Sequence, residues 1–250
     1  MQRAREDNSR ALLLFAAAGI IGYGAAMTPS LAHVENWIFD LDNSLYPASC
    51  DLFVLVDQRI GEYVQRLLGL DPVEARKVQK GYFATHGTTL AGLMESNGID
   101  PHDFLDFVHD IDMARIVADP ALVAALDRLP GRKFVFTNAD ETYARRVLDK
   151  LGLANAFDGF HDIHTMDYVP KPDPSAYAKI CARHGIDPTR AIFADDMARN
   201  LAPAKAIGMT TLWVDNGSEQ AGGAPAPEFV DHVTGDIAAW LHEVLGEEVE

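Results

Sequence analysis

Aspartates and other oxygen-bearing residues directly follow short apolar runs at three places in the chain. In WIFDLDNSLYP, the run at 37–39 is followed by two aspartates that stand one residue apart. The side chains in these positions are Asp40 and Asp42, Thr137 and Asn138, and Asp195 and Asp196. Because aspartate is also a common turn residue, each pair alone is weak support for a site. The recurrence of the pattern predicts one shared polar site.

A lysine in the segment VPKPDP completes the candidate site. Lys171 lies between Pro170 and Pro172, which stiffen the loop around it. Several carboxylates with one lysine suit a hard divalent cation together with an anionic substrate. Magnesium prefers oxygen ligands and completes its shell with water and substrate phosphate. A carboxylate can also act as a nucleophile, so the residues indicate magnesium-assisted chemistry on a phosphate.

The elements that must position these residues alternate between strand and helix patterns. Buried strands are predicted at 37–39, 134–136, 191–193 and 211–214, and helices at 141–151, 174–184 and 203–207, the last ended by Gly208. Such alternation predicts a parallel sheet with helices on both faces. The carboxyl ends of parallel strands share one edge of the sheet, where ligands bind. The polar residues should therefore converge there.

The region from about residue 50 to residue 125 breaks this alternation. It is mostly helical in pattern, with amphipathic spacing at 52–68 and 72–83 and no strong strand candidate. We expect a helical insertion between the first and second strands.

Composition excludes several classes of function. The 250 residues carry a formal net charge of −16, which opposes binding to nucleic acid polymers and to anionic membranes. The only two cysteines, Cys50 and Cys181, are too few for a disulfide framework and lack metal-ligand spacing. The expected location is therefore a reducing compartment, the cytoplasm.

The N-terminal segment has two readings. Residues 11–27 are uncharged and follow three arginines, which resembles an export signal or a short anchor. Met27 also opens a natural start for a compact domain, so residues 1–26 could be an upstream extension of the reading frame. Export is the alternative to a cytoplasmic location, and no membrane partner is expected unless 11–27 acts as an anchor. We exclude 1–26 from the fold prediction.

Four motifs in order resemble those of the haloacid dehalogenase superfamily of phosphatases. They are DLDNSL at 40–45, FTN at 136–138, KPDP at 171–174 and ADDMARN at 194–200. The resemblance covers residues 34 to about 245. It implies an α/β fold with a Rossmann-like parallel sheet core, formed by 34–49 and 126–250, and an all-helical cap at 50–125 inserted after the first strand.

The resemblance also implies a role for each motif residue. Asp40 would be the nucleophile that becomes phosphorylated, and Asp42 would protonate the leaving oxygen and later deprotonate water. Thr137, with Asn138 nearby, would bind the transferring phosphoryl group. Lys171 would neutralise charge on the nucleophile and the phosphate.

Magnesium is the cofactor that the resemblance implies. Its ligands would be the Asp40 carboxylate, the Asp42 main-chain carbonyl and Asp196. Asp196 matches the metal position because Asn200 follows it by four residues, and Asp195 would take the neighbouring place. Ser44 departs from the threonine common in the family but keeps the hydroxyl.

Within the superfamily, three stretches look like the branch of pyrimidine 5'-nucleotidases. They are DLDNSLYP, YFATHGTTLAGLM and DDMARNLAPAKAIGMTT. Asp42 argues against the dehalogenase branch, which lacks this acid/base residue. In the nucleotidase branch the cap would select the leaving group.

Two histidine-containing segments have both a functional and a structural interpretation. In THGTTL, His86 could face the substrate, or the segment could be a turn with a helix N-cap at Thr88 or Thr89. The segment 161–164, HDIH, resembles a metal cluster, but strand alternation would put neighbouring side chains on opposite faces. A structural role is favoured for 161–164.

The expected function is a magnesium-dependent phosphatase for pyrimidine nucleoside 5'-monophosphates, with a small phosphate ester as its partner. Alternatives are a phosphatase for phosphoglycolate, a sugar phosphate or pyridoxal phosphate, and a sugar-phosphate mutase. A non-catalytic binding protein would have no need of all five of the residues Asp40, Asp42, Thr137, Lys171 and Asp196. The oligomeric state stays open.

Overall fold

A computed structural model describes residues 31–218 and 225–246 of the chain. The segment 1–26, and with it the choice between extension and export signal, lies outside the described residues. Among the helices that are described, none is long and apolar enough to cross a lipid bilayer.

Six parallel strands form one sheet in the described ranges, in the order β3-β2-β1-β4-β5-β6. They are β1 (Asn36–Phe39), β2 (Arg132–Phe136), β3 (Gly159–His161), β4 (Ala191–Asp195), β5 (Thr210–Val214) and β6 (His232–Thr234). Every neighbouring pair is parallel. The predicted parallel α/β fold and its four buried strands are confirmed.

The two outer strands, β3 and β6, were not predicted at their observed positions. Each has three residues and is only partly buried, so neither forms the continuous apolar run that marks a central strand. The prediction that 161–164 form a short strand is confirmed for His161 and wrong for the three residues that follow. His161 ends β3, and His164 lies in the turn that follows.

Nine helices accompany the sheet in the described parts of the chain. They are α1 (Leu52–Leu68), α2 (Pro72–His86), α3 (Thr89–Asn97), α4 (Pro101–His109), α5 (Pro120–Arg128), α6 (Glu141–Leu151), α7 (Pro174–His184), α8 (Ala198–Ala206) and α9 (Ile237–Val244). Several start with an aspartate before a proline, where the aspartate accepts hydrogen bonds from exposed backbone N–H groups. These Asp-Pro starts are at residues 71, 100, 119 and 173.

The side chains of the strands alternate between two hydrophobic cores. Trp37 and Phe39 of β1 lie in one core with residues of α5, α6 and α9. Ile38 lies in the other core with residues of α7 and α8. Both faces of the sheet are thus covered, as a parallel sheet requires.

The helical insertion predicted after β1 is present. Helices α1 to α4 pack against one another, whereas α5 packs against α9 of the core. The cap boundaries at 50–125 stay a prediction, and the packing of α5 associates residues 120–125 with the sheet layers.

The prediction of a helix at 203–207 is wrong at its start. Helix α8 begins at Ala198, and Pro203 lies inside it. The correction places Arg199 and Asn200 in the first turn of α8, directly after the β4 aspartates. Gly208 follows with a φ of +99°, a conformation that favours glycine.

Candidate active site

Three neighbouring strands bring their polar ends to one edge of the sheet. Asp40 follows β1 and its N–H donates to the Ala194 carbonyl at 2.8 Å, which continues the pairing with β4. Thr137 follows β2 in the same way, donating to the His161 carbonyl at 3.0 Å. Because the strands are parallel and in register, these residues and Asp195 meet at one point.

The Lys171 ammonium is the centre of the site. Its Nζ is buried and donates to Asp40 Oδ1 at 2.8 Å, to Asp195 Oδ2 at 2.8 Å and to the Phe136 carbonyl at 2.7 Å. The lysine backbone is held by Asn138, which accepts from Lys171 N at 2.9 Å and donates to Lys171 O at 3.2 Å. Asn138 therefore positions the lysine loop.

Three carboxylates lie around this ammonium. Asp40, Asp195 and Asp196 each offer an oxygen, and the three oxygens lie within 4.8 Å of one another. Burial raises the pKa of Asp40 to about 7 and that of Asp196 to about 8, with a further contribution from neighbouring carboxylates. Burial alone would lower the pKa of Lys171, but Asp195 and Asp40 outweigh it and raise that pKa. One ammonium does not balance three carboxylates, so the donor set fits a hard divalent cation.

Asp195 and Asp196 have different surroundings. Both Asp195 oxygens accept from Asn200 Nδ2, at 2.9 and 3.0 Å. Oδ2 also accepts from Lys171, and Oδ1 from Met197 N at 2.8 Å. Asp196 accepts one hydrogen bond, from the Ser218 hydroxyl at 3.1 Å, among the described residues. Asp196 therefore has more free lone pairs for a metal, and its role as a metal ligand stays a prediction.

Ser44 links the first and last motifs. Its hydroxyl accepts from Asp196 N at 3.0 Å and lies 3.4 Å from Asp40 Oδ2. These contacts need only a hydroxyl, which serine shares with threonine, so the departure from the family pattern keeps them.

The Asp42 carboxylate is held by two phenols. Its Oδ1 accepts from Tyr46 OH at 2.5 Å and from Tyr143 OH at 2.9 Å. Burial raises the pKa of Asp42, although both phenols act in the opposite direction. A raised pKa favours the protonated form that a general acid needs.

A cavity of about 970 Å³ lies between these residues and the helical insertion. Its lining includes the site residues Asp40, Asp42, Thr137, Asn138, Lys171 and Asp196. The insertion contributes apolar side chains such as Phe53, Phe83 and Phe104, together with charged and polar ones such as Arg76 and Lys80. The arrangement suits a phosphate beside the aspartates and a larger group against the insertion.

His86 does not line this cavity, so the structure does not support its predicted role in substrate binding. Its Nε2 lies 3.4 Å from Glu95 Oε2, and its ring packs edge-on against Tyr82. The reason is its place in the last turn of α2, which faces α3. The alternative of a helix cap is confirmed: Thr88 caps α3 and accepts from Ala91 N at 3.1 Å.

His109 is a cavity residue that sequence reasoning missed. This last residue of α4 is buried, its Nδ1 lies 2.5 Å from Asp140 Oδ2, and its ring stacks on Tyr143 at 4.2 Å. A lone histidine at a helix end carries no sequence pattern. The sequence did not indicate a role for Tyr143 either, because its spacing within α6 is that of a core residue.

Residues 37–208 match the haloacid dehalogenase-like hydrolase family. The chain belongs to this family. Among curated members, Phosphate metabolism protein 8 of Saccharomyces cerevisiae is 28% identical over 69% of this chain and 59% of its own length. N-acetylmuramic acid 6-phosphate phosphatase of Pseudomonas aeruginosa is 27% identical over 72% of this chain and 81% of its own. Phosphoglycolate phosphatase 1 of the same species is 26% identical, with shares of 69% and 66%.

Solved structures of the family share the fold. A HAD phosphatase from Thermococcus onnurineus superposes with a TM-score of 0.57 at 20% identity, covering 86% of this chain and all of that one. The HAD-hydrolase YfnB from Bacillus subtilis, bound to magnesium, gives 0.56 at 12% identity, with shares of 85% and 98%. At these identities the likeness concerns the fold alone.

Proposed function

We propose that this family member is a magnesium-dependent phosphomonoesterase that forms an aspartyl-phosphate on Asp40 and acts on pyrimidine nucleoside 5'-monophosphates. The observation that carries the proposal is the buried Lys171 ammonium, which donates to Asp40 and Asp195 at the edge of a cavity that Asp42 also lines. A nucleophile, a charge-neutralising group and an acid/base group thus face one space. The phosphatase names of the curated relatives support the reaction class.

In the first step, a carboxylate oxygen of Asp40 attacks phosphorus. A bond forms between that oxygen and phosphorus, and the bond from phosphorus to the ester oxygen breaks. Protonated Asp42 gives its proton to the departing oxygen, which leaves as a neutral alcohol. Asp42 is then a carboxylate, ready to act as a base.

In the second step, water attacks the phosphoryl group on Asp40. Asp42 takes a proton from this water, the bond between the Asp40 oxygen and phosphorus breaks, and inorganic phosphate leaves. The enzyme returns to its starting state, with Asp42 protonated and Asp40 ionised.

Two residues stabilise the charge that develops on the phosphoryl oxygens. Lys171 supplies a fixed positive charge from a buried ammonium, where such a charge is more effective than in water. The Thr137 oxygen accepts from Ala139 N at 3.0 Å, which leaves its hydroxyl hydrogen to be donated to a phosphoryl oxygen.

The residues that would hold magnesium are Asp40, Asp196 and the main-chain carbonyl of Asp42. A bound magnesium ion supplies a positive charge that offsets the carboxylates and binds substrate phosphate. The fit of the donor set and the magnesium bound to YfnB support this part of the proposal.

The size and lining of the cavity support a nucleotide. Phosphoglycolate would leave most of the roughly 970 Å³ empty, whereas a nucleoside monophosphate is large enough to reach the aromatic side chains of the insertion. Phe53, Phe83 and Phe104 line the cavity and supply apolar area for a planar base. A bulky sugar phosphate is the second candidate, because it also fits this volume and one relative is an N-acetylmuramic acid 6-phosphate phosphatase.

The test is phosphate release by the purified full chain with magnesium. The panel comprises UMP, CMP, dTMP, AMP, phosphoglycolate, pyridoxal phosphate and several sugar phosphates, with Asp40→Asn as the blank. We expect the highest kcat/KM with the pyrimidine monophosphates. Preference for another ester would keep the mechanism and reject the substrate. A folded, magnesium-loaded sample that releases no phosphate from any ester would reject the phosphatase, and phosphoryl transfer between sugar hydroxyls would indicate a mutase.

A further inference from the structure

Both hydrogen bonds that hold the Asp42 side chain end on the same oxygen. Tyr46 and Tyr143 donate to Oδ1, and no described residue donates to Oδ2. A buried phenol needs only one acceptor, and two acceptor oxygens are present on this carboxylate. Because both phenols donate to Oδ1, that oxygen is fixed by two hydrogen bonds, whereas Oδ2 accepts none from a described residue.

This difference decides which oxygen carries the proton. A proton on Oδ1 would compete with two O–H donors for the same lone pairs. A proton on Oδ2 leaves both phenols satisfied, because Oδ1 then acts as the carbonyl oxygen of a neutral acid. Both phenols also stay satisfied when Asp42 is ionised. The same arrangement thus serves the acid and the base form.

The two tyrosines come from different segments of the chain, and further contacts hold Tyr143. Tyr46 lies just after β1, in the segment that leads into the helical insertion. Tyr143 lies in the first turn of α6, and its backbone N–H donates at 2.8 Å to Asp140, the N-cap of that helix. The other oxygen of Asp140 pairs with His109, whose ring lies parallel to the Tyr143 ring within 14°.

His109 is also held in place through its backbone. Arg146 of α6 donates to the His109 carbonyl at 2.8 Å and to the Ile111 carbonyl at 3.3 Å. The end of α4 is therefore attached to α6 at two points, and the His109 ring keeps the Tyr143 ring from rotating.

We propose that Tyr46 and Tyr143 are positioning residues that present Oδ2 of Asp42 to the leaving oxygen, and that His109 supports Tyr143 in this task. The inference rests on the proposed function, because it assumes that Asp42 protonates a leaving group. Neither tyrosine is a catalytic residue here, since both act through Asp42.

The test compares two esters that differ in their need for a proton. Phenyl phosphate and p-nitrophenyl phosphate present similar rings to the cavity, but p-nitrophenolate departs readily without protonation and phenolate does not. The ratio of kcat/KM is the right quantity, because kcat/KM covers the steps up to departure of the leaving group and not the later attack by water.

We expect Tyr143→Phe to lower kcat/KM for phenyl phosphate about ten times more than for p-nitrophenyl phosphate, a part of the 10²–10⁴-fold that a general acid contributes. The double variant with Tyr46→Phe should widen the difference. The control is Tyr63→Phe, because Tyr63 lies in α1 against Phe104 and Phe107 and does not line the cavity. It should leave the ratio unchanged.

Variants of His109 separate positioning from simple packing. His109→Phe retains a ring against Tyr143 but loses the pairing with Asp140, so its ratio should shift less than that of His109→Ala, which loses both contacts and should approach Tyr143→Phe.

Equal losses for both esters, or no loss in the double variant, would overturn the inference while leaving the proposed function intact. If the unaltered folded protein hydrolysed neither ester nor any member of the substrate panel, the proposed function would fail, and the inference with it.

Discussion

Replacing Lys171 by methionine tests whether the buried carboxylates depend on one ammonium. The substitution keeps most of the side-chain volume and removes three hydrogen bonds, to Asp40, Asp195 and the Phe136 carbonyl. Removing one partner of a buried ion pair costs about 3–5 kcal/mol, because the other group must either stay charged without compensation or take up a proton. We expect the free energy of unfolding to fall by about this amount in EDTA at pH 7.5.

The assay is urea unfolding followed by circular dichroism. The matched control is Lys179→Met, whose ammonium pairs with Asp167 at 2.9 Å while the two side chains are 32% and 81% exposed. Such an exposed pair contributes about 0–1 kcal/mol. Magnesium should restore part of the stability of Lys171→Met, because it places another cation among the carboxylates.

Acidification provides a second check on Lys171→Met. The pKa of Asp40 is already raised to about 7 with the ammonium present, and it should rise further without it. At pH 5.5 the carboxyl can therefore take up a proton, and the loss of stability should be smaller than at pH 7.5. Equal, small losses for Lys171→Met and Lys179→Met at pH 7.5 in EDTA would refute the reasoning.

Three further outcomes are expected. Magnesium must displace protons from Asp40 and Asp196, whose pKa values are raised to about 7 and about 8, so its Kd should be on the order of 500-fold weaker at pH 6 than at pH 8. Calorimetry giving the same Kd at both values would contradict the raised pKa values. Burial lowers the pKa of His161 to about 4, so the unfolded state binds more protons below pH 6.5 and stability should fall by about 1–2 kcal/mol from pH 7 to pH 5. His161→Phe should remove this part of the pH dependence of the free energy of unfolding, as measured by urea unfolding. An unchanged pH dependence in the variant would contradict the lowered pKa of His161. Asp40→Asn should lose turnover with an unchanged circular dichroism spectrum, and a variant with near-normal rates would exclude Asp40 as the nucleophile.

The sequence by itself determined the sheet and the place of the site. Apolar runs such as 37–39 are buried on both faces in a parallel sheet, so a continuous apolar run indicates a central strand. Polar residues directly after such runs must lie at the carboxyl edge, because all strands point the same way. For this reason Asp40, Thr137 and Asp195 could be brought together from sequence alone. The sequence did not predict the short outer strands β3 and β6, because a partly buried strand does not need a continuous apolar run.

Only the tertiary structure decided which side chains touch these residues. The rotation of α2 turns His86 toward α3 and away from the cavity, although its motif suggested otherwise. The phenol of Tyr143 donates to Asp42 although the two residues are 101 positions apart in the sequence. His109 likewise contacts Asp140, which is 31 positions away. Local patterns report burial and periodicity, which depend on near neighbours along the chain. Contacts between distant segments depend on how helices pack and rotate, and no spacing in the sequence encodes that directly.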